Sequence, residues 1–180
     1  MMNRVSVYCF LAAVVLSGAS GCVHESSDGP TRTFTYELWV PASVLIGGLA
    51  AAPAGWFLRK SSARFGWGLL FVAPIAAIFF APSLFLDRAV VDDNTFSLRT
   101  GIWGLTAVHE VRFDDLKTVR IIAEETSGRN GSKRKNYYLI CERIDGSTSK
   151  VPVNNNVAQA AAPRFLEKIA DRGIPIQDET

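Results

Sequence analysis

The sequence predicts a membrane-anchored α+β chain, with two transmembrane helices followed by a small β-barrel or sandwich closed by a C-terminal helix. Three observations lead there. Two runs of twenty-one residues, Leu38 to Leu58 and Gly66 to Leu86, contain no charged residue. Short stretches after Arg88 alternate apolar and polar residues with the period of a half-buried strand. After Asn156 the apolar residues recur instead with the period of an amphipathic helix.

Residues 1–22 read as an export segment. Arg4 supplies a positive start, Val5 to Leu16 an apolar run, and Ser17-Gly18-Ala19-Ser20-Gly21-Cys22 a tail of small residues. Ala-Ser-Gly-Cys resembles a lipoprotein signal, which implies lipidation of Cys22 as the first mature residue. An uncleaved signal anchor is the second reading, with Cys22 an incidental thiol. Residues 23–37 read as a polar linker.

The two charge-free runs form the predicted hairpin, residues 38–86. At about 1.5 Å per residue, each spans roughly 31 Å, the thickness of a bilayer's hydrocarbon core. Prolines at 41, 53, 74 and 82 predict bends without excluding the helices. The loop between the runs holds Arg59, Lys60 and Arg64, whereas residues 23–37 hold only Arg32. The positive-inside rule therefore puts the loop in the cytoplasm and everything after Leu86 on the extracytoplasmic face of the cytoplasmic (inner) membrane. Small residues at Gly47, Ala51 and Gly55, and at Ala73, Ala77 and Ala81, form stripes along which helices pack within the hairpin or between copies as a homo-oligomer. Neither run holds an internal ionisable group of the kind that marks an ion or proton path.

The domain is expected over residues 88–173, with 174–180 a tail. Thr95 to Arg99, His109 to Phe113 and Val119 to Ala123 have strand alternation, and Asp145-Gly146 marks a hairpin turn. Asn154-Asn155-Asn156 can cap the closing helix, and Gly173 and Pro175 end it. Pro163 either kinks that helix or starts its regular part. Ala89-Val90-Val91-Asp92-Asp93, Phe96-Ser97-Leu98-Arg99-Thr100-Gly101-Ile102-Trp103 and Val111-Arg112-Phe113-Asp114-Asp115-Leu116-Lys117-Thr118-Val119 carry a likeness to a known pattern. With the hairpin and helix that follow, the chain resembles the bacterial PH-like (pleckstrin-homology-like) domains that follow paired membrane helices. The resemblance implies a binding or assembly module, and the fold licenses no activity.

The chemistry-bearing residues agree with a non-enzymatic reading. From Arg88 onward there are fourteen Lys/Arg against thirteen Asp/Glu, so no field of one sign favours nucleic acid. His24 lies in the linker, and His109 shares strand parity with Val111 and Phe113, as a buried or boundary residue would. Asp114-Asp115 and Glu124-Glu125 are adjacent pairs, which point to opposite faces on a strand and do not converge as acid and base. Cys141, in an apolar run, reads as a small buried hydrophobe. No motif calls for a cofactor or a metal. The cationic turn Arg129, Lys133, Arg134 and Lys135 stands out. It would hold an anionic lipid headgroup or an acidic envelope protein, or else be a solvated turn guarding strand edges. The expectation is a membrane-tethered binding or assembly module of the cell envelope. Its rivals are an oligomerising membrane protein with a passive spacer domain and an accessory subunit of a transporter complex.

Overall fold

The computed structural model describes residues 23–102, 105–127 and 133–179. Strands β1 (Val23–Asp28) and β2 (Thr31–Tyr36) precede helix α1 (Trp39–Leu58). Helix α2 (Ala63–Leu86) follows, with a π-helical stretch at Gly68–Val72. Next come β3 (Arg88–Val91), β4 (Thr95–Ile102), β5 (Leu105–Arg112), a 3₁₀ turn at Phe113–Asp115, β6 (Leu116–Ser127), β7 (Lys133–Arg143) and β8 (Thr148–Pro152). Helix α3 (Asn156–Asp171) and strand β9 (Ile176–Glu179) complete the chain.

Residues 23–37, expected as a linker, form the β1–β2 hairpin. Asp28-Gly29 turns the chain, with Gly29 at φ +59°, a left-handed conformation that glycine adopts without a side-chain clash. The register Asp28↔Thr31 to Val23↔Tyr36 then pairs the two strands fully. Strand β2 pairs in turn with β3, Thr35 opposite Arg88 and Arg32 opposite Val91. The helical hairpin is therefore an insertion between neighbouring strands of one sheet. Its two ends are held side by side by β-ladder hydrogen bonds, a pairing that joins residues far apart in sequence.

Both helices are long and apolar enough to cross a membrane, and most of their large side chains, including Ile46, Phe57, Val72 and Phe80, are exposed. They touch along small residues. A Cβ on Gly48 would lie 2.1 Å from Ala77 Cβ, and one on Gly55 would lie 2.6 Å from Leu70 N. Pro41 and Gly55 of α1 and Ala77 and Ala81 of α2 are buried. The stripe on α2 meets the expectation at Ala77 and Ala81. On α1 it is met at Gly55, while the other close contact passes through Gly48 and Gly47 faces open space. The close approach allowed by small residues is thus used inside the hairpin.

Of the expected barrel or sandwich, the closed barrel is not formed. The strands build two open sheets, β1-β2-β3-β4-β5 and β8-β7-β6-β9. Buried Phe113, in the 3₁₀ turn after β5, donates its backbone N–H to Asn94 O at 2.9 Å, and the chain leaves the first sheet there instead of pairing β6 with β5. Both sheets and α3 share one core, with Phe96, Leu98 and Val111 from the first sheet, Val119, Leu139 and Cys141 from the second, and Val157, Phe165 and Ile169 from the helix. The Phe165 ring lies 4.7 Å from Phe96 and 5.8 Å from Phe113.

Helix α3 begins where the asparagines predict, with Asn155 Oδ1 accepting from Ala158 N at 2.7 Å. Pro163 lies inside it. Gly173, at φ +68°, ends the helix, and residues beyond do not form a free tail. Strand β9 runs parallel to β6, Ile176 opposite Val119, with Val119 N donating to Pro175 O at 3.0 Å. Asp145-Gly146 turns β7 into β8, as expected, with Gly146 at φ +82°.

Candidate functional site

Cys22 and Arg129 lie outside the described residues. The described chain starts at Val23, whose partner in the ladder is Tyr36, so β1 begins beside the end of β2 that leads into α1. Of the cationic turn, Lys133 forms an ion pair with Glu125 at 3.4 Å. Lys135 is exposed on the strand opposite Glu125, and Arg134 occupies the β7 position opposite Thr126. Lys133 and Lys135 are thus β7 residues close to Glu125, one by its ion pair and one by its register.

The turn leaves the domain from a definite end. Tyr137 N donates to Asn154 Oδ1 at 3.0 Å, and the next residue, Asn155, donates through Nδ2 to Thr100 Oγ1 at 3.0 Å. The pairs from Glu124↔Asn136 to Ser127↔Lys133 continue past that level, away from the 3₁₀ turn at which β6 starts.

Thr100 belongs to a polar junction that sequence reasoning missed. Asp87, the residue after α2, is 8% exposed. Its Oδ1 accepts from Gly101 N at 3.3 Å, and its carboxylate also accepts from the Thr100 hydroxyl. Burial raises the Asp87 pKa above the usual carboxylate value, opposed by those two hydrogen bonds. Tyr36 stands beside it, its pKa raised by burial first and by the Asp87 charge second, with its hydroxyl bonded to the backbone of Asn156. The Asp87 carboxylate thus ties the end of α2 to β4 through Thr100 and Gly101, and Thr100 in turn accepts from the α3 cap residue Asn155. The signal was a single Asp closing a long charge-free run.

Because ionisation of Asp87 is disfavoured in the folded protein, its contribution to stability is greatest when protonated and falls as pH rises from its unfolded value through the raised folded one. Asp87→Asn keeps an acceptor for Gly101 N and is expected to remove that loss, whereas Asp87→Ala strands buried donors and costs about 1–3 kcal/mol at either pH. Thermal melts of the full chain in detergent at about pH 4 and 7 distinguish the two, since the loss sets in near the usual aspartate value of about 4 and deepens above it.

Next to the junction an open groove of about 760 Å³ is lined by His24, Tyr36, Leu38, Trp39, Ala42 and Phe85, among others. It offers mainly aromatic and aliphatic surface, as an acyl or aromatic group would require.

The remaining chemistry-bearing residues are engaged structurally. Asp114 and Asp115 lie in the 3₁₀ turn and not on a strand, Asp114 paired with Arg172 and Asp115 with Arg112 at 4.0 Å. Glu124 pairs with Lys150 at 2.5 Å. Cys141 is buried in the core, and burial pushes its thiol up to about 12, so it carries no thiolate at neutral pH. His109 is half-buried, at the boundary its parity predicted. Among the described residues no group of three or more His, Cys, Asp and Glu is placed to hold a metal ion. What the junction does is link the end of α2 to β4 and the start of α3 by side-chain hydrogen bonds. Comparison with known proteins adds no relative, since no family model matches the chain and no curated protein matches it.

Proposed function

We propose that the chain is a non-enzymatic, membrane-tethered binding or assembly module of the bacterial cell envelope, with α1 and α2 crossing the cytoplasmic membrane and the two-sheet domain on the extracytoplasmic face. The observation that carries this reading is the insertion of the hairpin between paired strands β2 and β3. A domain joined in this way has no linker, so it presents its surface at a fixed height above the bilayer. The placement of aromatic and cationic residues supports the same orientation. Trp39 lies at one end of the hairpin, and Trp56 and Trp67 at the other, where the Arg59 guanidinium stacks 3.3 Å over Trp56. Tryptophan is favoured at both interfaces and arginine on the cytoplasmic side. Cys22 directly precedes the strand end beside α1, a position from which a lipid on it, or an uncleaved anchor, enters the same bilayer. The PH-like resemblance belongs to this reading as its reason for a binding role.

The test is crosslinking of the tagged full chain in intact cells. A binding or assembly module returns a defined envelope partner whose recovery requires the two-sheet domain. Recovery of the chain alone, as a homo-oligomer, favours the passive spacer. Recovery of polytopic transport proteins, independent of the domain surface, favours the accessory-subunit reading.

The cationic turn is the proposed contact with an anionic headgroup or acidic partner. Clustered Lys/Arg near an anionic leaflet contribute about 1 kcal/mol each. Replacing Arg129, Lys133, Arg134 and Lys135 by Gln in a soluble form lacking residues 38–86 is expected to lower its partition onto anionic vesicles by roughly tenfold or more. Added salt should weaken the parent in the same way. Undiminished, salt-insensitive binding returns the segment to a solvated turn.

A further inference from the structure

The β4–β5 hairpin carries apolar residues that the core does not use. Leu105 is 79% exposed, Val108 61% and Ile102 45%. Register fixes where they lie. Arg88, next but one after α2, pairs with Arg99, and β4 then runs on past that pair to Ile102, opposite Leu105. Three residues at about 3.3 Å each take the tip roughly 10 Å beyond the Arg88–Arg99 level, alongside the last turn of α2, against which β4 packs. The tip is held there. Gly101 N is bonded to Asp87, and at φ +133° a Cβ on Gly101 would lie 2.5 Å from Leu105 O.

Above the apolar tip stand two arginines directly opposite one another, both exposed. Like charges in directly opposed positions repel. Arg88 donates to the Thr33 hydroxyl at 3.4 Å, and among the described residues no carboxylate pairs with either guanidinium. An apolar tip beneath a pair of unneutralised arginines matches a phospholipid surface, with acyl chains below and phosphates above. The headgroup region is about 5–8 Å deep on each side of the hydrocarbon core, so a 10 Å reach from the phosphates enters hydrocarbon.

We propose that the β4–β5 hairpin is a second membrane contact, in which Ile102 and Leu105 enter the leaflet that receives α1 and α2 while Arg88 and Arg99 bind its phosphates. The proposal rests on the reading that the two helices cross the bilayer. This contact fixes the domain at two points and prevents it from rocking about the hairpin.

The test is spin-label accessibility in the full chain reconstituted into phosphatidylethanolamine–phosphatidylglycerol vesicles, with Cys9→Ser and Cys22→Ser and with buried Cys141 left in place. Single labels go in through Leu105→Cys, Ile46→Cys in the middle of α1, and Ile144→Cys at the opposite end of the domain. The expected result is a ratio of oxygen to nickel-chelate accessibility at Leu105 shifted from the aqueous value at Ile144 toward the bilayer value at Ile46, with the shift reduced by Arg88→Gln together with Arg99→Gln. A bilayer value at Ile46 with an aqueous value at Leu105 overturns the wedge and leaves the spanning helices intact. An aqueous value at Ile46 overturns both.

Discussion

A chain running from Val23 to Tyr36, then through Asn-Gly to Asp87 and on to Thr180, is expected to fold as a soluble domain, whereas residues 88–180 alone are expected not to. Tyr36 stands opposite Asp87 in the extension of the Thr35↔Arg88 register, so a two-residue type I′ turn spans the gap left by the helices. In residues 88–180 alone, β3 becomes an edge of four residues, and the core loses Phe34, which packs on α3 through β2. The exposed edge and the uncovered apolar face then favour aggregation. The check is a cooperative thermal transition by circular dichroism, present in the joined chain and absent in the truncated one. Equal transitions in both would mean that β1 and β2 are dispensable to the domain.

The second large effect is expected at Phe165. Its side chain is fully buried and touches Phe96 of the first sheet and Phe113 of the 3₁₀ turn that leads to the second. Phe165→Ala removes this bridge and leaves a cavity between layers that cannot collapse without moving α3. The cost is about 3–5 kcal/mol, a large part of the stability of a domain this size. Phe165→Leu refills much of the volume and should cost less than half as much. Denaturant unfolding of the full chain in detergent, followed through the β signal, measures both. A loss below about 1 kcal/mol for the alanine variant would show that α3 is not integral to the core.

Legibility in the sequence followed the strength of the local signal. The helical hairpin, the Asp145-Gly146 turn, the Asn155 cap and the α3 face were readable because each rests on a run of apolar residues or on one residue with a specific backbone role. Strand β1 was not. Val23-His24-Glu25-Ser26-Ser27-Asp28 has one apolar residue, as befits an exposed edge, although Asp28-Gly29 is the same turn signal that was readable further on. Strand β9 lacks a pattern for a similar reason, since it is held by the backbone of β6 and not by an apolar face of its own. The β2–β3 pairing was hidden because the partners are separated by the entire hairpin, and alternation says nothing about which strand lies next to which. Closure was misjudged because a buried Phe113 at a chain reversal has the same parity signal as one in a strand. The Asp87 junction was hidden because Thr100 and Gly101, which bond Asp87, and Asn155, which bonds Thr100, come from two distant elements. On α1 the expected stripe holds at Gly55, which meets α2 at Leu70, but one end of it shifts by a residue, since Gly48 and not Gly47 meets Ala77.

One sheet is continuous across the helical hairpin, and a disulfide between β2 and β3 tests this most directly. Thr33 and Val90 are Cα partners on the face away from the core, at the separation of neighbouring strands, about 4.5–5.5 Å, within the range a disulfide bridges. Thr33→Cys with Val90→Cys in the full chain in native membranes should link the two segments on mild oxidation, read as joined peptides by mass spectrometry. Thr33→Cys with Ser97→Cys places the thiols two strands apart, roughly 10 Å, beyond bridging distance. Efficient linkage of the first pair with little of the second is the predicted result. Absence of linkage in the first pair, or equal linkage in both, would contradict the continuous sheet and with it the proposal that the domain is held at a fixed height above the bilayer.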